Sequence, residues 1–496
     1  MVQQSPVLVV VIPLIFAFLI FIFGWWRRGI CYPITLTAIS LSFLASLLTL
    51  NTVITTGTIH YRLGSWEPPW GIEYVVDHLN AFVLVIVSLV SLIAAISSKK
   101  SVEKELNEKT VFFYSIFLLQ VTGFLGIVIT GDMFNLYVFL EIASLAGYAL
   151  IAIGEDGAPF ASFNYLIFGT IGACFYLLGV GYLYITTGSL NMADLSQILP
   201  NLYHSKVVLV AFAFFLVGVS LKMALFPLHV WLPDAYTYAP SPVSSLLAPL
   251  MTKVGAYIMI RIMFFVFKPY FSIELIPATT ILVWMAGGAI LFGAIWALAQ
   301  TDLKRMLAYI LVSEVGYITL GIGLANKNGL TGAILHILND SFMMLALFLV
   351  VGAIMYRTGK REITGLRYIH RKMPFTMAVF VVAALSVIGI PPTCGFFSKW
   401  YLILGAIDAN YWVPAGILLL SSLLNVIIFF RVIENAYLEP DEGHTGGTSE
   451  THIAIEEAPL SMLIPILIAG AGIMLFGVLS GKIVSTIIQF AIPSFV

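Results

Sequence analysis

The sequence predicts an all-α polytopic membrane protein, and three observations lead there. Of its 496 residues, 60% are hydrophobic and 10% are charged, whereas soluble domains carry about 25% charged residues. The mean hydropathy of +1.01 reflects more apolar surface than a globule of this length buries. The apolar residues also gather into runs of roughly 20 residues, the length a helix needs to cross hydrocarbon about 30 Å thick. The balance of 24 basic and 25 acidic residues leaves no basic footprint for nucleic acid. Cys31, Cys174 and Cys394 stand far apart without a CxxC, so no iron–sulfur, zinc or disulfide signature is present, and neither a metal nor a cofactor is expected in this chain.

In chain order, about fourteen membrane helices are expected, over 7–25, 33–53, 78–98, 111–131, 133–153, 161–186, 206–227, 243–266, 276–299, 305–325, 329–356, 374–402, 411–437 and 459–482. The first is read as a retained helix: no basic region precedes it, and Arg27 and Arg28 follow it. Lysine and arginine bias sets the orientation. With the N-terminus outside, the inner loops hold Arg27, Arg28, Lys99, Lys100, Lys104, Lys109, Lys304, Arg305, Arg357, Lys360, Arg361, Arg367, Arg371 and Lys372. The outer segments hold Arg62, Lys206, Lys268, Lys327 and Lys482. Both termini are therefore expected outside. The inner loop 438–457 is acidic (EPDEGHTGGTSE), and acidic residues count little in this rule.

Two segments are not continuous helices. The run 206–227 meets Pro227 and then PLHVWLPDAYTYAPSP; the run 374–402 breaks at Gly389-Ile-Pro391-Pro392 and resumes at GFFSKWYLI. Proline removes a backbone donor and clashes with the preceding turn. Irregular backbone at membrane depth persists only within protein or beside a water-filled cavity. Interrupted segments at corresponding places in two halves point to inverted repeats. Helices 4–8 (111–266) and 9–13 (276–437) form such halves, following an N-terminal part (1–110) and preceding an acidic loop with helix 14 (438–496). Each half has its break in the fourth helix, with one lysine beside it: Lys222 before Pro227, Lys399 after Pro391 and Pro392.

Ionisable side chains at membrane depth cost about 2.5–3.5 kcal/mol on insertion scales, so they read as functional by default. Here they are Glu141, Lys222, Lys253, Arg261, Glu314, His336, Asp340 and Lys399, with Arg431 and Glu434 nearer an end. Glu141 lies roughly 12 Å and Lys253 roughly 15 Å along their helices at 1.5 Å per residue. The competing reading of Glu141 and Lys222 is a packing clamp between helices. Arg261 and Arg431 are expected to snorkel to the interface, His229, His370 and the loop carboxylates to be interfacial or solvated, and Asp234 to cap a restarted helix. His336 and Asp340 are one turn apart on one face, which suits a relay; Met343 and Met344 read as packing.

SLKMALFPLHVWLPDAYTYAPSPVSSLLA (220–248), FLEIASLAGYALIA (139–152), TKVGAYIMIR (252–261), KRMLAYILVSEVGYITLGIG (304–323) and IGIPPTCGFFSKW (388–400) together resemble the antiporter-like subunits. That family is shared by Mrp-type multisubunit sodium/proton antiporters, respiratory complex I and energy-converting membrane-bound hydrogenases. The resemblance spans about residues 75–435 and implies fourteen helices with two inverted five-helix repeats. Carried over by position, it implies that Glu141 pairs with Lys222, that Lys253 is the central base and that Lys399 is the charged residue of the second broken helix, flanked by Ser398 and Trp400. The helix-11 pattern of the family, His, His and Lys at four-residue steps, here reads His336, Asp340 and Met344, and Glu314 stands where glutamine or histidine is more usual.

A buried lysine that gains and loses a carboxylate partner takes up and releases a proton. The expected path runs from Glu141 and Lys222 through Lys253, then His336 and Asp340, to Lys399. A Glu314–Lys399 pair is expected as the second-half counterpart of Glu141–Lys222. The function expected is translocation of protons, with or without exchange for sodium, inside a multisubunit complex in a prokaryotic inner membrane. Its expected partners are further antiporter-like and small membrane subunits and, in a redox-driven host, hydrophilic iron–sulfur subunits. The alternatives are a non-conducting scaffold subunit and, against the resemblance, a free-standing transporter of an organic solute.

Overall fold

A computed structural model describes residues 4–438 and 455–493; most of the acidic loop lies outside the described residues. The chain opens with α1 (Ser5–Phe23) and α2 (Cys31–Thr56), followed by an antiparallel hairpin of β1 (Ile59–Arg62) and β2 (Glu73–Val76). Then come α3 (His78–Glu105), α4 (Thr110–Ile129), α5 (Met133–Ala152) and α6 (Ala158–Thr187). A short α7 (Met192–Ile198) leads to α8 (Lys206–Lys222), α9 (Trp231–Tyr238) and α10 (Ser241–Ile260). The second half has α11 (Ala278–Leu298), α12 (Leu303–Leu324), α13 (Lys327–Thr358), a single turn α14 (Ile369–Lys372), α15 (Pro374–Ile388), α16 (Cys394–Asp408) and α17 (Trp412–Tyr437). α18 (Leu460–Ile483) and a last turn, α19 (Gln489–Ala491), close the described chain.

Twelve helices among the described residues are long and apolar enough to cross a membrane. The other two expected helices are the proline-interrupted ones, and each is two shorter helices. In the first, α8 ends at Lys222, Ala224 takes a left-handed φ of 56°, and helix resumes at Trp231. In the second, α15 ends at Ile388, Gly389 takes φ 95°, and α16 starts at Cys394. A helix end leaves its last carbonyls without intrahelical partners. At the first break the Ser220 and Leu221 carbonyls accept from the Leu225 and Ala224 amides, and Leu221 also from the Trp231 indole. At the second the Val387 carbonyl accepts from Lys399.

Polar side chains set where the intact helices begin. Asp77 accepts from the Leu79 and Asn80 amides in a reciprocal capping box with Asn80, and Asp132, Asn191, Asp302 and Asn326 each cap the helix that follows. The centre of the bundle is α10, α12 and α13: the most apolar stretches of α10 and α13 are buried throughout. α6 and α8 approach closely enough that a Cβ on Gly218 would come within 2.7 Å of the Gly172 carbonyl. Only glycine permits that contact, and it fixes the end of α8 that carries Lys222.

Candidate functional site

The first cluster forms where α8 stops. Lys222 is the last residue of α8, where a cation also suits the helix dipole. Its Nζ donates to Ser144 Oγ at 2.6 Å and lies 3.4 Å from Glu141 Oε1. Glu141 and Ser144 are three residues apart and so share a face of α5. The Glu141 side chain is 26% exposed against 5% for Lys222, so the carboxylate looks outward from the chain at membrane depth while the lysine is enclosed.

The second cluster is at the centre. Lys253 Nζ lies 2.5 Å from Asp340 Oδ2, with side chains 2% and 0% exposed, and also donates to the Ala248 carbonyl at 3.1 Å. One turn earlier on α13, His336 Nε2 lies 2.9 Å from Glu314 Oε2 of α12, both fully buried. The other ring nitrogen, Nδ1, is 2.8 Å from Ser398 Oγ of α16, and Asn339 Nδ2 donates to the same oxygen at 3.0 Å. His336 thus bridges a carboxylate and a hydroxyl, an arrangement that passes a proton by exchanging tautomers. Glu314 Oε1, Asp340 Oδ1 and Asn339 Oδ1 are buried without a hydrogen-bond partner among the described residues, which is where internal water is expected.

The third cluster is at the second break. Lys399 Nζ donates to the Val387 carbonyl at 2.5 Å, one of the acceptors freed where α15 ends, and to the Tyr317 hydroxyl at 3.3 Å. It also stands 4.3 Å from the centre of the Tyr317 ring, within cation–π range. Pro227, Pro391 and Pro392 lie inside the two breaks, as the sequence places them.

Several expectations are corrected. Glu314 pairs with His336, while Lys399 meets a carbonyl and a tyrosine; no ion pair joins Glu314 to Lys399 among the described residues. Arg261 does not snorkel: its guanidinium grips Asp77 through two hydrogen bonds of 2.6 and 3.1 Å and stacks 4.4 Å from the Phe265 ring. Burial works to raise the Asp77 carboxyl, but the Arg261 charge and hydrogen bonds, with the Asn80 and Leu79 amides, outweigh it and hold it below its usual value. Arg431, partly exposed, reaches the end of α11 and donates to the Leu298 and Gln300 carbonyls, both at 2.6 Å, which does not contradict its expected place near a helix end. His229 is buried against the Phe226 and Trp296 rings rather than solvated. Lys304, read as a loop residue, is buried and donates to the Ala239 carbonyl just past α9. Asp234, in the first turn of α9, pairs with Arg305 at 2.9 Å.

Ser144, Tyr317 and Asn339 had no place in the sequence reading. Ser144 and Tyr317 each stand three residues after a glutamate of the candidate path, and Asn339 three after His336. Helical spacing from each ionisable residue was the signal that finds them.

Broken helices that each hold a lysine, and carboxylate–base pairs enclosed between them, define the antiporter-like class of membrane subunit. The family model described as NADH:quinone oxidoreductase/Mrp antiporter, transmembrane, matches residues 130–425, and the chain belongs to that family. It is 46% identical, over 99% of both chains, to NADH-quinone oxidoreductase subunit N of Desulforudis audaxviator. It is 33% identical to a Na(+)/H(+) antiporter subunit of Alkalihalophilus pseudofirmus, over 76% of this chain and 77% of that one. Among solved structures it resembles a chain of the membrane-bound sulfane sulfur reductase, an archaeal respiratory complex, with TM-score 0.89 and 28% identity over 98% of this chain and 96% of that one. A chain of the Mrp complex from Dietzia sp. DQ12-45-1b matches with TM-score 0.88 and 25% identity, over 99% of this chain and 96% of that one.

Proposed function

We propose that this chain is a proton-translocating membrane subunit of a multisubunit complex, and that the path is carried by pairs of buried bases and carboxylates. The observation that carries this reading is the central quartet. Lys253–Asp340 and His336–Glu314 are two fully buried pairs whose members on α13 are one turn apart. A buried ion pair is weak support for stability, because desolvation offsets much of its Coulombic attraction. Two adjacent ones favour a switching role over a structural lock. Glu141 and Lys222 supply the entry switch, Glu141 modulating and Lys222 exchanging. Lys253 and Asp340 hold the central proton, Glu314 and His336 relay it, and Ser398 passes it toward Lys399. Asp340 replaces the second histidine of the family pattern and gives Lys253 a partner on α13 in place of a further base.

A non-conducting scaffold is disfavoured by the same quartet and by relatives named for transport or oxidoreduction. Alanine at Lys222 or Lys399 separates the readings. Loss of transport with normal assembly supports translocation; loss of assembly with unchanged transport per surviving complex supports the scaffold.

We also propose that both termini face outward, that helices 4–8 and 9–13 are inverted repeats, and that the host is a redox-driven complex whose electron chemistry resides in partner subunits. The 46% relative named as an oxidoreductase subunit supports that host, and the matched breaks after α8 and α15 support the repeats. Native purification followed by mass spectrometry tests the host: iron–sulfur subunits are expected, and small membrane subunits alone would point to an antiporter. Exchange for sodium is a second reading, favoured by the three unpartnered oxygens of Glu314, Asn339 and Asp340. It predicts transport that depends on sodium concentration.

A further inference from the structure

Lys222 has Glu141, Lys253 has Asp340 and His336 has Glu314, but among the described residues no carboxylate lies within ion-pair distance of Lys399. Its surroundings supply hydroxyls. An ammonium can only donate, so the Tyr317 oxygen accepts from Lys399. The hydroxyl of Tyr317 also lies against Ser421 Oγ on α17, where either oxygen can be the donor; in the direction leading away from Lys399, Tyr317 donates there. Ser421 is left with one proton to donate, either to the Leu418 carbonyl at 3.3 Å or onward.

Onward lies Asn425, one turn along α17. It is fully buried, and among the described residues neither its amide nitrogen nor its oxygen has a hydrogen-bond partner. An amide with both ends bare inside a protein costs roughly 1–3 kcal/mol per unmet group, so water normally fills the need. Beyond it on α17, Ile428, Phe429 and Val432 are buried and apolar, while Arg431 is partly exposed.

We propose that Tyr317, Ser421 and a water held by Asn425 are the proton acceptor of Lys399, standing where a carboxylate stands for the other two lysines. The transfer is a concerted shift of three protons. One leaves Lys399 Nζ for the Tyr317 oxygen, the Tyr317 hydroxyl proton moves to Ser421 Oγ, and the Ser421 proton moves to the water. Lys399 is left as a neutral amine, both hydroxyls are restored, and the water carries one added proton between the Asn425 and Leu418 carbonyl oxygens. Ser421 and Asn425 are positioning residues of this relay, which rests on the proton-path reading above.

The test uses the intact complex in proteoliposomes, with Asn425→Leu, Asn425→Ser and Ser421→Ala beside a Lys253→Met control. Proton transport is read in light and heavy water, and assembly by native electrophoresis. The expected result is a fall of about a hundredfold for Asn425→Leu and Ser421→Ala, the lower end of what a positioned proton-transfer group contributes. Assembly should be unchanged, the solvent isotope effect should rise, and Asn425→Ser, which leaves a hydroxyl and room for water, should transport close to wild type. Wild-type transport by Asn425→Leu overturns the relay whatever the control does. Equal losses in Asn425→Leu and Asn425→Ser with failed assembly also overturn it, in favour of packing. A Lys253→Met control that transports normally counts separately, against the central path.

Discussion

Lys253 Nζ and Asp340 Oδ2 lie 2.5 Å apart on two different helices, enclosed to 2% and 0% exposure. Removing one partner of such a pair strands a bare charge and costs about 3–5 kcal/mol. Asp340→Ala is therefore expected to lower the thermal midpoint of the assembled complex and to abolish transport. The double variant Lys253→Met, Asp340→Leu should recover stability relative to either single change, without recovering transport. Thermal unfolding and vesicle transport on the same preparations check both halves.

Glu314 couples to His336, not to Lys399. A double-mutant cycle on Glu314→Gln and His336→Ala is expected to show an interaction of about 0.5–3 kcal/mol, the range for residues in contact. The cycle on Glu314→Gln and Lys399→Ala should show a smaller interaction, since no ion pair joins the two among the described residues. Transport by Glu314→Gln should fall with assembly intact, since glutamine keeps a hydrogen bond to the His336 ring but not the charge.

Gly389 ends α15 at φ 95°, and a Cβ there would lie 3.3 Å from Lys399 Cδ. Gly389→Ala is expected to cost about 1–2 kcal/mol from the left-handed backbone alone and to displace Lys399 from the Val387 carbonyl. Gly416→Ala on α17 meets nothing within 4 Å and should be tolerated, providing the control. Thermal denaturation separates the two.

The Asp77 carboxyl is held below its usual value by Arg261 and two helix amides against the opposing effect of burial. A depressed carboxylate contributes stability that is complete above the unfolded value of about 3.9 and is lost as pH falls through the lower folded value. Hydrogen exchange in Ile59–Val76, which leads into α3, is therefore expected to be pH-independent in protection near neutrality and to lose protection in strongly acidic buffer. Asp77→Asn should remove that acid-dependent step.

The membrane architecture was legible because length and composition alone determine how many apolar helices a chain can place in a bilayer. The breaks were legible because proline acts locally: Pro227 and Pro391–Pro392 interrupt their helices wherever the rest of the chain goes. Lys222 and Glu141 were placed together through the resemblance and meet at 3.4 Å. The Lys253–Asp340 pair was not foreseen, since its members are 87 positions apart in sequence and only the packing of α10 on α13 joins them. The same holds for Arg261 and Asp77. A basic residue near a helix end looks free to snorkel until a carboxylate from another element takes its place beside the guanidinium. Glu314 was matched to Lys399 by repeat symmetry, and the nearer His336 took it instead.

The most direct test of a conducting path through the buried pairs is proton transport by the assembled complex carrying Lys253→Ala, measured beside wild type in sealed vesicles. The path predicts that the complex assembles in normal amount and that its proton transport is lost. Undiminished transport in a normally assembled Lys253→Ala complex would contradict it.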